Sequence, residues 1–168
     1  MTAPRQKRNG WRLGGAFLVP LVAMAAQVSS GFSAGAGTTE RVVVNRYTGL
    51  AIEGFDPVGY FTEARAVSGQ SRFEASEAGA VWRFSNEGNR AAFVAYPDIY
   101  GPQFGGYDPV DIARGVPFAG NPQLWVISEQ RLYLFGRPES RNAFIAAPNK
   151  FLLEANRRWP AVQETLAQ

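Results

Sequence analysis

Alternating apolar and polar positions predict two β-hairpins in the chain. Residues 72–75 and 81–84 alternate on either side of a turn at residues 78–80. Residues 124–127 and 132–135 are apolar runs that flank the polar residues 128–131. Paired runs of this kind around a turn are typical of antiparallel hairpins.

Two further segments have strand-like patterns. Val42, Val43 and Val44 are β-branched and fit either a first short strand or an extended arm. Asp56-Pro57 predicts a turn, because aspartate accepts a local backbone hydrogen bond and proline fixes φ. We expect the chain to leave that turn as a short strand through Tyr60 and Phe61.

Helical patterns follow each predicted hairpin. Ser85 and Asn86 are good N-cap residues for a helix over residues 87–96, and Pro97 begins a short turn that reaches Tyr100. Residues 101–106 read as an irregular loop, and residues 107–120 fit no single element. A helix is predicted from Pro138 to about residue 147, and another from Pro148 to about residues 159–160.

Separate groups of strands and helices, without alternation of single strands and helices, indicate the α+β class. We predict one small domain over residues 40–165, in which the β-hairpins form an antiparallel sheet packed against several short helices. The absence of cysteine means that no disulfide can stabilise it, so the apolar core must hold the fold together.

The first 36 residues have the pattern of a secretory signal and linker. Four basic residues precede an uncharged, mostly apolar stretch at residues 13–26, and small residues follow. Two A-x-A sequences predict cleavage after Ala25 or after Ala36. Glycines and Pro20 weaken the stretch as a membrane-spanning helix, so we favour cleavage over an anchor. We therefore expect an exported protein, in the periplasm or the extracellular space.

Removal of this segment changes the charge of the protein. The whole chain has a net charge of +3, but the part after residue 36 has 13 basic and 14 acidic residues, a net charge of −1. A nearly neutral domain has no long-range attraction for nucleic acid or for anionic membranes. We expect no nucleic-acid partner, and membrane contact only through a retained signal.

The residue types exclude several common kinds of active site. The chain has no histidine and no cysteine, so it has neither an imidazole base nor the ligands of ordinary zinc, copper or iron sites. It also lacks the glycine-rich phosphate-binding motifs. We expect no catalytic residues and no cofactor, although a pair of carboxylates would suffice for glycoside-type chemistry.

One short motif occurs twice, as Gly54-Phe55-Asp56-Pro57-Val58 and as Gly106-Tyr107-Asp108-Pro109-Val110. A functional interpretation places Asp56 and Asp108, with Asp111, around a hard cation or another ligand. Calcium requires six or more oxygen ligands, and the motif supplies few. We favour the simpler interpretation, in which both copies are Asp-Pro turns with the same local hydrogen bonding.

Aromatic residues cluster beside glycines near the second copy of the motif. Phe104 and Tyr107 are candidate pocket residues, because ligand pockets combine aromatic walls with a few polar groups. Phe93 and Tyr100 are predicted to belong to the core, as are Trp82 and Trp125, which lie in strand patterns.

The chain resembles the YHS-domain family, and more narrowly its small exported bacterial members. The resemblance is carried by GFDPVGYF, by the ordered set W-x-F-S-N-E-x-N-R-x-x-F-x-x-x-P-x-x-Y-x-P-Q-F-G-G-Y, by LWVISEQRLYLF and by NRRWP, over residues 50–160. It implies a small α+β domain. Many members are thought to bind metals through cysteines, but here those places hold Gly59, Ser85, Asn86 and Asp108. The family's thiol chemistry therefore does not transfer.

These observations favour an exported, non-catalytic binding or accessory module for an unknown protein or small ligand. The alternative is a binder of a hard cation or small ligand centred on Tyr107 and Asp108, with Asp56, Asp111 and Phe104 as further candidates and Asp108 as the candidate metal ligand. A third possibility is a carboxylate-dependent enzyme, which needs two acids in one cleft.

Overall fold

The computed structural model describes residues 41–166, so the predicted signal segment and both cleavage sites lie outside the described residues. The described part contains six α-helices and four strands. In chain order they are α1 (Gly59–Thr62), β1 (Gln70–Glu77), β2 (Ala80–Phe84), α2 (Glu87–Ala95), α3 (Pro97–Tyr100), α4 (Pro109–Ile112), β3 (Asn121–Ser128), β4 (Arg131–Phe135), α5 (Pro138–Ala146) and α6 (Pro148–Leu166). The predicted α+β class is confirmed, and the two hairpins form two separate two-stranded antiparallel sheets.

The element order of residues 50–100, the first half, recurs in residues 102–152, the second half. Each half has a tight turn, a buried aspartate, a one-turn helix, a hairpin and two consecutive helices. Counterparts are 51 or 52 positions apart, as with Ala80 and Arg131 or Asp56 and Asp108. The duplicated pentapeptide is thus part of a repeat that extends over a whole supersecondary unit.

The backbone hydrogen bonds that define each unit also recur. The amide of Asp56 donates to the carbonyl of Val67, and the amide of Asp108 donates to that of Phe118, both at 2.8 Å. In each half a glycine amide before the hairpin then donates to the carbonyl of the glycine that ends the tight turn, at 2.9 Å in both cases. The hairpins share an irregular register near the start of β1 and of β3.

Each tight turn is left-handed. Ile52, Glu53 and Gly54 have φ values of 41°, 56° and 79°, and the counterparts Phe104, Gly105 and Gly106 have 53°, 62° and 89°. Positive φ is strained for residues with a Cβ atom, so turns of this kind persist only where their surroundings fix them. The extended arm fixes both: Ile52 donates to the Val43 carbonyl, and Val43 donates to the Gly105 carbonyl.

Two apolar cores lie on opposite faces of β4. Leu132 and Leu134 join the core of the first half, whereas Tyr133 and Phe135 join the core of the second half. Trp82 packs on Phe93 in the first core, with ring centroids 4.9 Å apart, and the counterparts Tyr133 and Phe144 lie 5.0 Å apart in the second. Because β4 serves both cores, four of its five residues are buried.

The strand predicted at Tyr60 and Phe61 was wrong, and the choice between a strand and an extended arm at residues 42–44 is decided in favour of the arm. Tyr60 and Phe61 lie in the helix α1, because the Asp56 side chain accepts hydrogen bonds from the Val58 and Gly59 amides and so starts a helical turn. Residues 42–44 form the extended arm rather than a strand, with one isolated bridge from Val44 to Ala51. Of the predicted core aromatics, Trp82 and Phe93 are buried, and Tyr100 and Trp125 pack half-buried against the first core.

The last helix is longer than predicted. α6 continues past Pro160 to Leu166, although proline inside a helix removes a hydrogen bond and usually ends it. Its apolar face holds it in place, since Ala155 and Val162 are buried in the second core. No helix in residues 41–166, α6 included, has the length and apolarity required to span a membrane.

The structure predicts that Gly105 is indispensable. A Cβ atom there would overlap the Arg41 carbonyl oxygen, in addition to the strain of φ +62°. Gly79 is the matched control, because it also has positive φ (+79°) but no atom within 4 Å of the place that a Cβ would take. We expect Gly79→Ala to cost about 1 kcal/mol of unfolding free energy and Gly105→Ala several times that.

Chemical denaturation of the two variants measures this difference. Equal losses of stability in both would show that the arm does not press on the second tight turn.

Candidate functional site

Asp56 is a fully buried hydrogen-bond acceptor that holds the first half together. One carboxylate oxygen accepts from the Val58 amide at 2.9 Å, which makes the predicted Asp-Pro turn. The other accepts from the amide and hydroxyl of Ser85, at 2.8 and 2.7 Å, and from the Asn89 side chain at 2.7 Å. The carboxylate therefore links α1, the end of β2 and α2.

Asp108 is the equivalent hydrogen-bond acceptor in the second half, where fewer groups donate to it. It is also fully buried, and it accepts from the amides of Val110 and Gly136, both at 2.9 Å, and from the Ser140 hydroxyl. Gly136 and Ser140 occupy the places of Ser85 and Asn89. Burial raises the pKa of Asp108 above its ordinary value, and the nearby charge of Asp111 adds to that, while the hydrogen bonds act in the opposite direction.

Asp111 is a buried carboxylate paired with two arginines whose side chains are largely exposed. One of its oxygens lies 2.5 Å from the guanidinium of Arg137, and the other lies 3.5 Å from that of Arg114. The Arg137 guanidinium also covers the ring of Phe118 at 4.9 Å. This arrangement ties α4 to the start of α5, and it leaves the Asp111 carboxylate with two cationic neighbours.

The two candidate aromatics belong mainly to the second core. Tyr107 and Phe104 are buried, and both pack on Trp159 of α6, with ring centroids 6.1 and 5.7 Å away. Phe104 also borders a cleft, described below. Tyr107, Asp108 and Asp111 are thus brought together around α4, whereas Asp56 performs its role in the other half.

This geometry gives no support to a hard-cation site centred on Asp108. Across the described residues, no group of three or more acidic side chains is placed to hold a metal ion. No buried side-chain oxygen or nitrogen in that part of the chain lacks a hydrogen-bond partner. The three aspartates that the sequence identified as candidates instead bond to other groups of the protein and connect its helices and hairpins.

A cleft of about 360 Å³, here called the junction cleft, opens where the first half meets the second tight turn. Its apolar lining residues include Trp82, Phe93 and Phe104, which are themselves buried in the two cores. Its polar groups are Glu77, Asp98, Gln103 and Arg131. This volume is within the range of small-ligand pockets.

Sequence reasoning missed most of the cleft, because its residues come from four separate segments. Glu77 is at the tip of the first hairpin, Asp98 is in α3, Gln103 directly precedes the second tight turn and Arg131 begins β4. Arg131 donates to the main-chain carbonyl of Asp98 at 2.5 Å and so joins the two halves. Only Phe104 was identified from the sequence as a candidate site residue, through its aromatic and glycine neighbours.

Comparison of the chain with protein-family models, with curated proteins and with solved structures found no match.

The raised pKa of Asp108 predicts a pH-dependent contribution to stability. In the folded state its pKa lies above the ordinary value of 3.8, so the folded protein binds more protons than the unfolded chain in that interval. The contribution is fully present below the unfolded pKa and is lost as pH rises through the folded pKa. We expect the stability difference between wild type and Asp108→Asn to fall as pH rises from about 4.

Urea denaturation over a pH series measures this difference, with exposed Asp98→Asn as the control. Asp108→Asn should also lose about 1–3 kcal/mol at neutral pH, because it places an amide opposite the Gly136 donor. A difference from wild type that is constant with pH would contradict the raised pKa.

We also expect calcium and magnesium to leave the unfolding midpoint of the wild-type domain unchanged, because the buried carboxylates already accept protein hydrogen bonds. A cation at 100 times its dissociation constant would stabilise the folded state by about 2.7 kcal/mol. A rise in the midpoint that Asp108→Ala abolishes would restore the cation-site hypothesis.

Proposed function

We propose that this protein is an exported, non-catalytic binding module of YHS-like type and that its ligand binds in the junction cleft. The observation that carries the proposal is a contrast between two sets of carboxylates, those that accept hydrogen bonds within the protein and those that do not. The buried carboxylates Asp56 and Asp108 are engaged in the fold, whereas the exposed carboxylates of Glu77 and Asp98 line the cleft and have no ion pair or hydrogen bond within the described residues.

Export and the family relationship are parts of the proposal that rest on the sequence. The segment before residue 37 has the basic, apolar and small-residue regions of a secretory signal. The YHS resemblance covers residues 50–160, and an α+β unit of short hairpins and helices is the fold it implies. The periplasm or the extracellular space is the location that fits a cleaved signal.

A carboxylate-dependent enzyme is less well supported. Glu77 and Asp98 line the same cleft, as such an enzyme would require, but both are exposed. A general acid needs surroundings that keep it protonated near neutral pH, and burial is the usual means. Exposed carboxylates at the rim suit recognition of a ligand better than proton transfer.

The proposal predicts that small ligands perturb the junction cleft and no other surface. We would titrate the isotope-labelled domain with a fragment library of neutral, anionic and cationic compounds and follow its amide resonances by NMR. Hits should shift the amides of Gly101, Gln103 and Gly105, which line the cleft. Gln103→Trp, which fills the cleft, should abolish the shifts.

Gln123→Trp is the matched control, because Gln123 is an exposed residue of β3 and none of the cleft residues. Fragment binding that survives Gln103→Trp, or turnover of any fragment by the wild type that Glu77→Gln abolishes, would contradict the proposal.

A further inference from the structure

The acidic side chains of the described domain differ sharply in their partners. Five of them, Glu63, Glu74, Glu87, Asp111 and Glu154, each have an arginine nitrogen at 2.8 Å or less. Asp56 and Asp108 accept hydrogen bonds inside the fold. Between residues 41 and 166, six acids remain without an ion pair: Glu53, Glu77, Asp98, Glu129, Glu139 and Glu164.

Half of these unpaired acids lie on one surface. Glu77 and Asp98 line the junction cleft, and Glu129 lines the neighbouring depression that shares Arg131 with it. Among the described residues of the cleft walls, the sole cationic group is Arg131, whose guanidinium is held by the main-chain carbonyl of Asp98. These walls thus carry two carboxylates against one guanidinium, although arginine pairs with acids elsewhere on the domain.

The repeat shows that the fold does not need these charges. The counterpart of Glu77 in the second half is Ser128, and that of Asp98 is Asn149, both uncharged. Asp98 and Asn149 each follow the proline that starts a helix, so the same structural position accepts either residue. The carboxylates are therefore features of the cleft and not of the supersecondary unit.

The remaining walls supply apolar surface beside the carboxylates. Val42, Pro97 and Pro102 line the cleft together with Trp82 and Phe104, and of these five residues Pro97 is half-buried and the other four are buried. A ligand that matches both features has a cationic head group on an apolar chain. The carboxylates of Glu77 and Asp98 attract the head group, and the apolar wall residues contact the methylene groups that carry it.

We propose that the junction cleft binds an alkylammonium or alkylguanidinium group. This inference rests on the proposed function and names its ligand class. Two sources supply such a group: a free polyamine and a lysine or arginine side chain of a peptide. Both sources present the same group to the cleft, a cationic head group on an alkyl chain.

The test uses the wild-type domain and three probes, followed through the amide resonances of the cleft. The probes are spermidine, a short lysine-containing peptide with blocked ends, and fully acetylated spermidine as the neutral isostere. We expect at least one of the two cationic probes to bind and the acetylated compound to bind at least ten-fold more weakly. Binding by spermidine alone indicates a free amine, and binding by the peptide indicates a side chain.

Variants that remove a negative charge from the cleft and a variant that removes its positive charge provide the decisive control. Glu77→Gln and Asp98→Asn should each weaken binding of the cation about two- to five-fold, as expected for exposed charge pairs. Arg131→Gln should strengthen it, because the substitution removes a repulsive charge and retains a donor for the Asp98 carbonyl. Glu139→Gln, which removes an unpaired acid from the first turn of α5, should have no effect.

Other outcomes separate this inference from the proposed function. Binding of anionic or neutral compounds in the cleft, with no preference for the cationic probes, would overturn the inference and leave the binding module intact. Equal effects of Glu77→Gln and Glu139→Gln would overturn it as well. Absence of any ligand in the cleft across the fragment library would overturn the proposed function itself.

Discussion

The fold depends on a buried carboxylate that each half of the domain uses in the same way. Such a group is costly to desolvate unless hydrogen bonds replace the lost water. Asp56 and Asp108 meet that condition by accepting from the turn that follows them and from the end of the hairpin. Because those donors are far apart in sequence, one side chain fixes the relative positions of a one-turn helix, a hairpin and the helix that follows the hairpin. The left-handed turns are held separately, by the hydrogen bonds of the extended arm.

The two halves then stack like a short repeat array. In such proteins each unit covers the core of its neighbour, and the terminal units need a different outer face. Leu132 and Leu134 of the second hairpin close the core of the first half, and α6 closes the core of the second half. The counterpart of Leu134 in the first hairpin is Arg83, which pairs with Glu74 at 2.8 Å. The first hairpin therefore has an ion pair at the place where the second hairpin has a core leucine.

Local patterns in the sequence were sufficient to predict both hairpins, the helix α2 and the α+β class, because these elements follow from short-range periodicity and capping. They were insufficient for α1, whose residues look like a strand until the Asp56 carboxylate captures their amides. Pro160 misled the prediction for α6, since a buried apolar face outweighed the lost hydrogen bond. The candidate site was predicted least well. The favoured interpretation of the repeated motif as two Asp-Pro turns is confirmed, whereas the same aspartates offered as ligand-binding candidates are buried within the fold. The cleft is assembled from segments with no shared local signal.

The difference between the two halves explains where the cleft comes from. α3 and α6 begin at equivalent prolines, but α3 ends after four residues and α6 continues for 19. After α3, the chain turns at Gly101 into the second tight turn, and a side chain at Gly101 would press on the Pro97 carbonyl at 2.8 Å. α6 covers the second core, and no helix in the described residues takes the equivalent place beside the tip of the first hairpin. The junction cleft is the open space that remains there. The uncharged counterparts Ser128 and Asn149 show that the fold does not require the charges of Glu77 and Asp98 at that opening. That freedom makes the unpaired carboxylates there more informative about function than the buried aspartates that the sequence repeats.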